Sequence, residues 1–184
     1  AAQAHTGITD GTFYRDQGWY FYQIGKALER CDQTTRLVDI KYHALLPSPA
    51  DVGTDIDISQ WNAVLRCAAG YHAYRRVHPR GMSPKSVSGF LIFNPLFPRS
   101  VVTCVRQVDA LLTELCTRYN LRSGHQAMER LDELRAALDS WTVDTVVNRG
   151  LHESLDFVQG QLIGVTDSIQ RAFFGVDQDT PLAE

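Results

Sequence analysis

The sequence predicts an all-α fold, a helical bundle of about six amphipathic helices. Three observations predict it. Apolar residues recur at spacings of three and four along most of the chain, prolines and glycines fall between those stretches, and the one β-branched cluster, Val143 to Val147, is too short and isolated to pair as a strand.

The first helix is expected over roughly Phe13 to Leu46, with Tyr20, Ile24, Leu28, Cys31, Thr35, Val38, Tyr42 and Leu45 on its apolar face. Asp10 or Thr12 is placed as its cap, and Pro47-Ser48-Pro49 stops it, because proline has no amide donor and restrains its predecessor. A polar loop, Ser48 to Asp57, follows. The second helix is expected from Ile58 to Val77, broken by His78-Pro79-Arg80-Gly81. Ser83-Pro84 then opens a short helix, serine capping and proline taking the first helical position, with Val87, Phe90, Leu91 and Phe93 facing inward.

That helix ends by Asn94-Pro95, and Pro98 is expected to open the next, which carries Val101, Val105, Val108, Leu112, Leu115 and Tyr119. Further periods run from Met128 to Trp141 and from Leu151 to Phe173, the last helix stopping at Gly175. Val143 to Val147 reads as a short helix or turn, and residues 176–184 as a fraying tail.

A chain of 184 residues with 44% hydrophobic content is one domain with a core of its own. Its net charge of −3, without basic blocks or a basic stripe, argues against nucleic acid and anionic membranes as partners. No apolar run approaches the ~20 residues of a membrane span, and AAQAHTGITDGT has neither a basic n-region nor an apolar h-region, so neither membrane insertion nor secretion is expected. Cys31, Cys67, Cys104 and Cys116 are far apart in sequence, without a CxxC pair, and read as small core residues in a reducing cytoplasm. The chain begins in what reads like mid-protein sequence, so a fragment of a longer protein is expected.

The other side of the first helix is polar. Steps of seven give Arg15, Tyr22, Glu29, Arg36 and His43, interleaved with Gly18, Gly25, Asp32 and Asp39. Three readings compete: a solvated surface, a structural charge network between helices or between two halves of a larger protein, and a ligand or catalytic site. Gly18 and Gly25 each cost roughly 1 kcal/mol in a helix relative to alanine, which argues that something approaches this face. Glu29, Arg30, Arg36 and Asp39 would then be partly buried and obliged to pair. Glu29 and Arg30 point about 100° apart, so each needs its own partner.

At GWYFYQIGKALERCDQTTRLVD, residues 18–39, the chain resembles the bacterial alpha-E domain family, helical proteins named for a Glu-Arg motif. The opening GITDGTFYRDQGWYF, DIKYHALLP, Trp61, FLIFNPLFPRSV and GLHESLDFVQ extend the resemblance over nearly the whole chain. The resemblance implies a longer protein holding the Glu-Arg helix twice, of which this chain looks like the second half, and no internal repeat is evident within it. It also implies company: an ATP-grasp type ligase or a transglutaminase-like protein, in amide-bond formation or modification of a peptide. The domain is then a non-catalytic helper, binding or assembly unit; the alternatives are an enzyme acting through the Glu29-Arg30 stripe and a structural homo-oligomer.

No phosphate loop, HExxH or ExxH pair occurs, so neither metal nor cofactor is expected. His152-Glu153 reads as a helix cap, and His43 and His72 as lone helical histidines. The corner from Asn94 to Ser100 is either a plain helix-helix corner or an anion site made of free amides and Arg99. Asp10, Thr12, Tyr14 and Arg15 either line the same groove as the stripe or cap the helix. The candidate binding residues are therefore Arg15, Tyr22, Glu29, Arg30, Arg36, Asp39, Arg99 and Ser100, with Glu29 and Arg30 as the catalytic candidates.

Overall fold

A computed structural model of the chain describes residues 2–44 and 55–175. Among them every regular element is helical: α1 (Ala2–Thr12), α2 (Gln17–Ala44), α3 (Asp55–Cys67), α4 (Tyr71–Val77), α5 (Pro84–Phe93), α6 (Val101–Arg118), α7 (His125–Ser140), α8 (Val143–Arg149) and α9 (Leu151–Phe174). The all-α expectation holds, with more and shorter helices than expected. The Pro47-Ser48-Pro49 stop, most of the following loop and the 176–184 tail lie outside the described residues.

Two helices break where apolar spacing alone runs on. Asp10 and Thr12 do not cap the long helix: both belong to α1, and Thr12 donates to the Ile8 carbonyl at 2.8 Å. The cap is Asp16, whose carboxylate accepts the Trp19 amide at 3.3 Å, so α2 starts at Gln17 rather than Phe13. The expected Ile58–Val77 helix divides at Ala69, whose φ of 54° is left-handed, while the Gly70 amide reaches back to the Leu65 carbonyl at 2.7 Å.

Other starts follow local chemistry closely. Ser83 and Ser86 form a reciprocal capping box ahead of Pro84, and Thr142 and Thr145 do the same for α8, so Val143 to Val147 is helical. Pro98 does not open α6. Ser100 caps it, accepting the Thr103 amide at 3.2 Å.

The four long helices α2, α6, α7 and α9 form a closed ring in which each runs antiparallel to its neighbours. Tyr20 at the start of α2 donates to Glu114 near the end of α6 at 2.5 Å, whereas Thr34 reaches Arg99 just before α6. Arg135 of α7 meets Asp109 of α6 at 2.6 Å, and Arg106 meets Asp139 at 3.1 Å. Trp141 packs on Phe157, and Phe21 on Phe173 with ring centroids 5.1 Å apart, joining α9 to α7 and α2. Leu112, Leu115, Leu131, Leu134 and Leu155 are fully buried between them. Their burial stabilises the bundle by roughly 25 cal/mol per Å² of apolar area.

Helices α3 to α5 strap one side of the ring. Tyr74 is fully buried with its hydroxyl 2.6 Å from Ser86, and Phe90 stacks on Phe97 at 4.7 Å. Lys41 of α2 is tied to Asp57 of α3 at 2.8 Å and to Gln60 at 2.6 Å, lying over the Trp61 ring. Cys31, Cys104 and Cys116 are buried as expected, but Cys67, at the end of α3, is exposed.

The ring also brings to light a repeat that spacing alone conceals. Ala27-Leu28-Glu29-Arg30-Cys31-Asp32 on α2 recurs as Ala127-Met128-Glu129-Arg130-Leu131-Asp132 on α7. These helices are parallel and stand on one diagonal of the ring, since both pack against α6 and α9. In each copy the alanine and the residue after arginine are buried and the glutamate is exposed.

Candidate functional site

Helix α2 turns its apolar side, Tyr20, Ile24, Ala27, Cys31 and Val38, into the bundle. The opposite face, about half a turn away, carries Gly25, Glu29, Gln33 and Arg36, all exposed. This face is neither packed nor a closed charge network. A Cβ on Gly25 would meet nothing within 4 Å, and one on Gly18 would meet only Asp16 Oδ1 at 3.2 Å and Phe13. Of the approaches the glycines suggested, a backbone, a helix or a ligand, no other helix among the described residues comes close to Gly25.

The charged side chains settle differently one from another. Arg36 pairs with Asp32 one turn earlier at 2.7 Å, and this carboxylate raises the guanidinium pKa. Glu29 accepts a hydrogen bond from Gln33 at 2.9 Å, a neutral donor, and no ion-pair partner for it occurs among the described residues. Arg30 is half-buried, and Arg99 is too; neither guanidinium has a hydrogen-bond or ion-pair partner among the described residues. Of the expected network only Asp39 crosses to another helix, meeting His152 of α9 at 2.9 Å. His152 thus ties two helices, and that hydrogen bond raises its pKa, while Glu153 stands in the first turn of α9 where its charge suits the helix N-terminus, as expected.

Two grooves flank the crest of α2. One, of about 690 Å³, lies between α1, α2 and the residues before α6, with Thr6, Tyr22, Lys26, Glu29, Arg30 and Arg99 on its walls. The other, of about 330 Å³, lies between α2 and α9 and is lined by Leu28, Asp32, Arg36, Ile163 and Asp167. Gly25 and Glu29 belong to both.

The first groove is held open by α1. Asp10 accepts hydrogen bonds from Lys26 at 2.8 Å and from Gln23 at 3.3 Å, and the Lys26 bond holds its carboxyl below the usual range. Phe13 packs on Tyr22, with centroids 5.5 Å apart. On the opposite wall Thr34 donates to the Arg99 carbonyl at 2.8 Å, which fixes the backbone from which Arg99 enters the groove. Behind it, burial pushes the Cys104 thiol up to about 11, against the pull of Arg30 and Arg99, so at neutral pH it is not a nucleophile.

Several expectations need correcting. Ser100 is completely buried and donates to the Asn94 carbonyl at 2.6 Å, so it binds nothing outside the fold. The Asn94–Ser100 corner likewise uses its own amides: those of Leu96, Phe97 and Ser100 are bonded to Asn94 Oδ1, the Asn94 carbonyl and the Phe97 carbonyl. Of the candidates at this corner, the Arg99 side chain lines the groove. Arg15 lies over the Trp19 ring at 5.4 Å and does not line either groove beside Glu29. Tyr14 is 81% exposed, and of the cluster Asp10 is tied to a groove residue, Lys26, while none of Asp10, Thr12, Tyr14 and Arg15 lines the groove itself. Asp39 belongs to the helix tie described above, and the His43 side chain lies outside the described residues.

The structure thus brings Tyr22, Glu29, Arg30 and Arg99 together and leaves Arg15, Asp39 and Ser100 out. Sequence reasoning missed Lys26 and the α9 residues Ile163 and Asp167. Lys26 follows Gly25 directly and is visible as the turn-earlier neighbour of Arg30; no local signal announces the α9 pair. Among the described residues no three of His, Cys, Asp and Glu gather to hold a metal ion, and no helix is long and apolar enough to cross a membrane.

Comparison with known proteins gives one match. Residues 1–174 fit the family described as a predicted alpha-helical domain with a conserved ER motif. No curated protein and no solved structure matches the chain.

Proposed function

We propose, on the premise that this chain belongs to the Alpha-E family, that it is a binding and assembly domain without a catalytic step of its own. Its groove beside α1 takes a carboxylate, presented by a peptide or by a protein that makes or modifies amide bonds. The partner class is an ATP-grasp type ligase or a transglutaminase-like protein.

The observation that carries this reading is the pairing of Arg30 and Arg99. Two guanidinium groups line one groove and neither is within ion-pair distance of a carboxylate among the described residues, although Asp10, paired with Lys26, lies near enough to feel the charge of Arg30. A half-buried arginine is ordinarily paired, because its charge loses hydration without compensation otherwise. Its planar donors suit a carboxylate in particular. Glu29 on the rim gives the enzyme reading its one point of support, as a general base or acid beside a bound anion.

The experiment is affinity capture of a ligase or transglutaminase-like partner encoded beside this protein, with the wild type and an Arg30→Gln, Arg99→Gln double variant. Capture by the wild type and its loss in the variant is expected. Equal capture by both contradicts the role of the groove.

A further inference from the structure

The groove that holds Arg30 and Arg99 does not end at α2. It meets the α2–α9 groove at Gly25 and Glu29, which line both, and the space above Gly25 is open because a Cβ there would find no atom within 4 Å. The charge changes sign along this path. Arg30 and Arg99 stand on one side, Asp32 and Asp167 on the other, with Glu29 at the junction. Asp32 is neutralised by Arg36, but Glu29 is bonded only to the uncharged Gln33 amide among the described residues. Two cations and one anion without ion-pair partners therefore face the same open surface.

Resting on the binding role proposed above, we infer that the ligand is a short peptide with both termini free, lying across Gly25. Its terminal carboxylate sits between Arg30 and Arg99, and its ammonium group sits at Glu29. A glycine at position 25 is what lets the peptide backbone pass over the helix crest.

Calorimetric titration of the full chain with tetraalanine tests this, alongside its N-acetylated, C-amidated and doubly blocked forms. The free peptide is expected to bind tightest, and each block to weaken it by about tenfold, the loss of one charge-assisted contact. Gly25→Phe is expected to weaken the free peptide to the level of the doubly blocked one. Gly160→Ala, which adds one methyl to open space on α9 at a residue that lines neither groove, is the control and keeps the affinity. Glu29→Gln is expected to abolish the distinction between free and acetylated amino termini while keeping the response to C-amidation.

Equal binding of the acetylated and free peptides, with the amide still weaker, overturns the two-ended ligand and leaves the carboxylate groove standing. Equal binding of the amide and the free peptide, or no binding of tetraalanine up to about 10 mM, also overturns it. Failure of the assembly role is seen separately, in partner capture by the Arg30, Arg99 variant.

Discussion

Arg30 and Arg130 hold matching positions in the two Ala-x-Glu-Arg-x-Asp segments, yet only Arg130 is packed onto a neighbouring helix. Its guanidinium fills the place where Gly164 of α9 lacks a side chain: a Cβ there would stand 2.6 Å from Nη1. Arg30, on the opposite corner of the ring, opens instead onto the groove with Arg99. Glu129 has His125 at 3.3 Å, whereas Glu29 has no ionisable group within ion-pair distance among the described residues and acts on Arg36 only from further off. The same short segment thus makes one packed corner and one open one.

This contrast predicts opposite responses to the same methyl group. Gly25→Ala stabilises the protein by about 0.5–1 kcal/mol, since it removes a helical glycine without meeting any atom. Gly164→Ala gains less or destabilises, because the Arg130 guanidinium must move. Urea denaturation of the two variants checks the order, and an equal gain in both contradicts it.

The Lys41–Asp57 pair is almost completely buried, with side-chain exposures of 2% and 4%. Lys41→Met leaves Asp57 charged and without this partner and is expected to cost about 3–5 kcal/mol. Lys41→Met combined with Asp57→Leu recovers most of that loss. Chemical denaturation of the single and double variants measures it; a double variant as unstable as the single would show that the pair is needed as such.

The tie between α2 and α9 gives a pH dependence. His152 has its pKa raised chiefly by the hydrogen bond to Asp39, with further pull from Asp39, Glu153 and Asp156. A group whose folded pKa exceeds its unfolded value of 6.5 contributes fully below that value and loses the contribution as pH rises through the folded pKa. The melting temperature of wild type should therefore exceed that of His152→Gln more at about pH 5.5 than at about pH 9. A gap that is constant or wider at high pH contradicts the assignment.

The helices of the ring were readable in the sequence because each buries one stripe, and the capped start at Ser83 carries its own signal, whereas at α6 Pro98 drew the expected start ahead of the true cap, Ser100. The breaks at Asp16 and Ala69 were not, since apolar residues keep helical spacing on both sides of each and the break rests on one cap or one left-handed residue. On the site, the polar face of α2 follows from its periodicity, which places Glu29 opposite Cys31. What periodicity cannot supply is the opposite wall: Arg99 and Asp167 reach the grooves only through the packing of α6 and α9 on α2. The glycines left the choice open for a related reason, because a glycine facing a neighbouring helix and one facing an open groove look alike in one dimension.

The central claim is that Arg30 and Arg99 serve binding rather than folding, and one pair of titrations on the Arg30→Gln, Arg99→Gln variant tests it most directly. Urea unfolding should place its stability within about 0.5 kcal/mol of the wild type, as for residues without partners in the fold. Calorimetry should show its affinity for tetraalanine reduced by at least about tenfold. Stability lowered by more than about 2 kcal/mol with peptide affinity unchanged would make the two arginines structural and contradict the account.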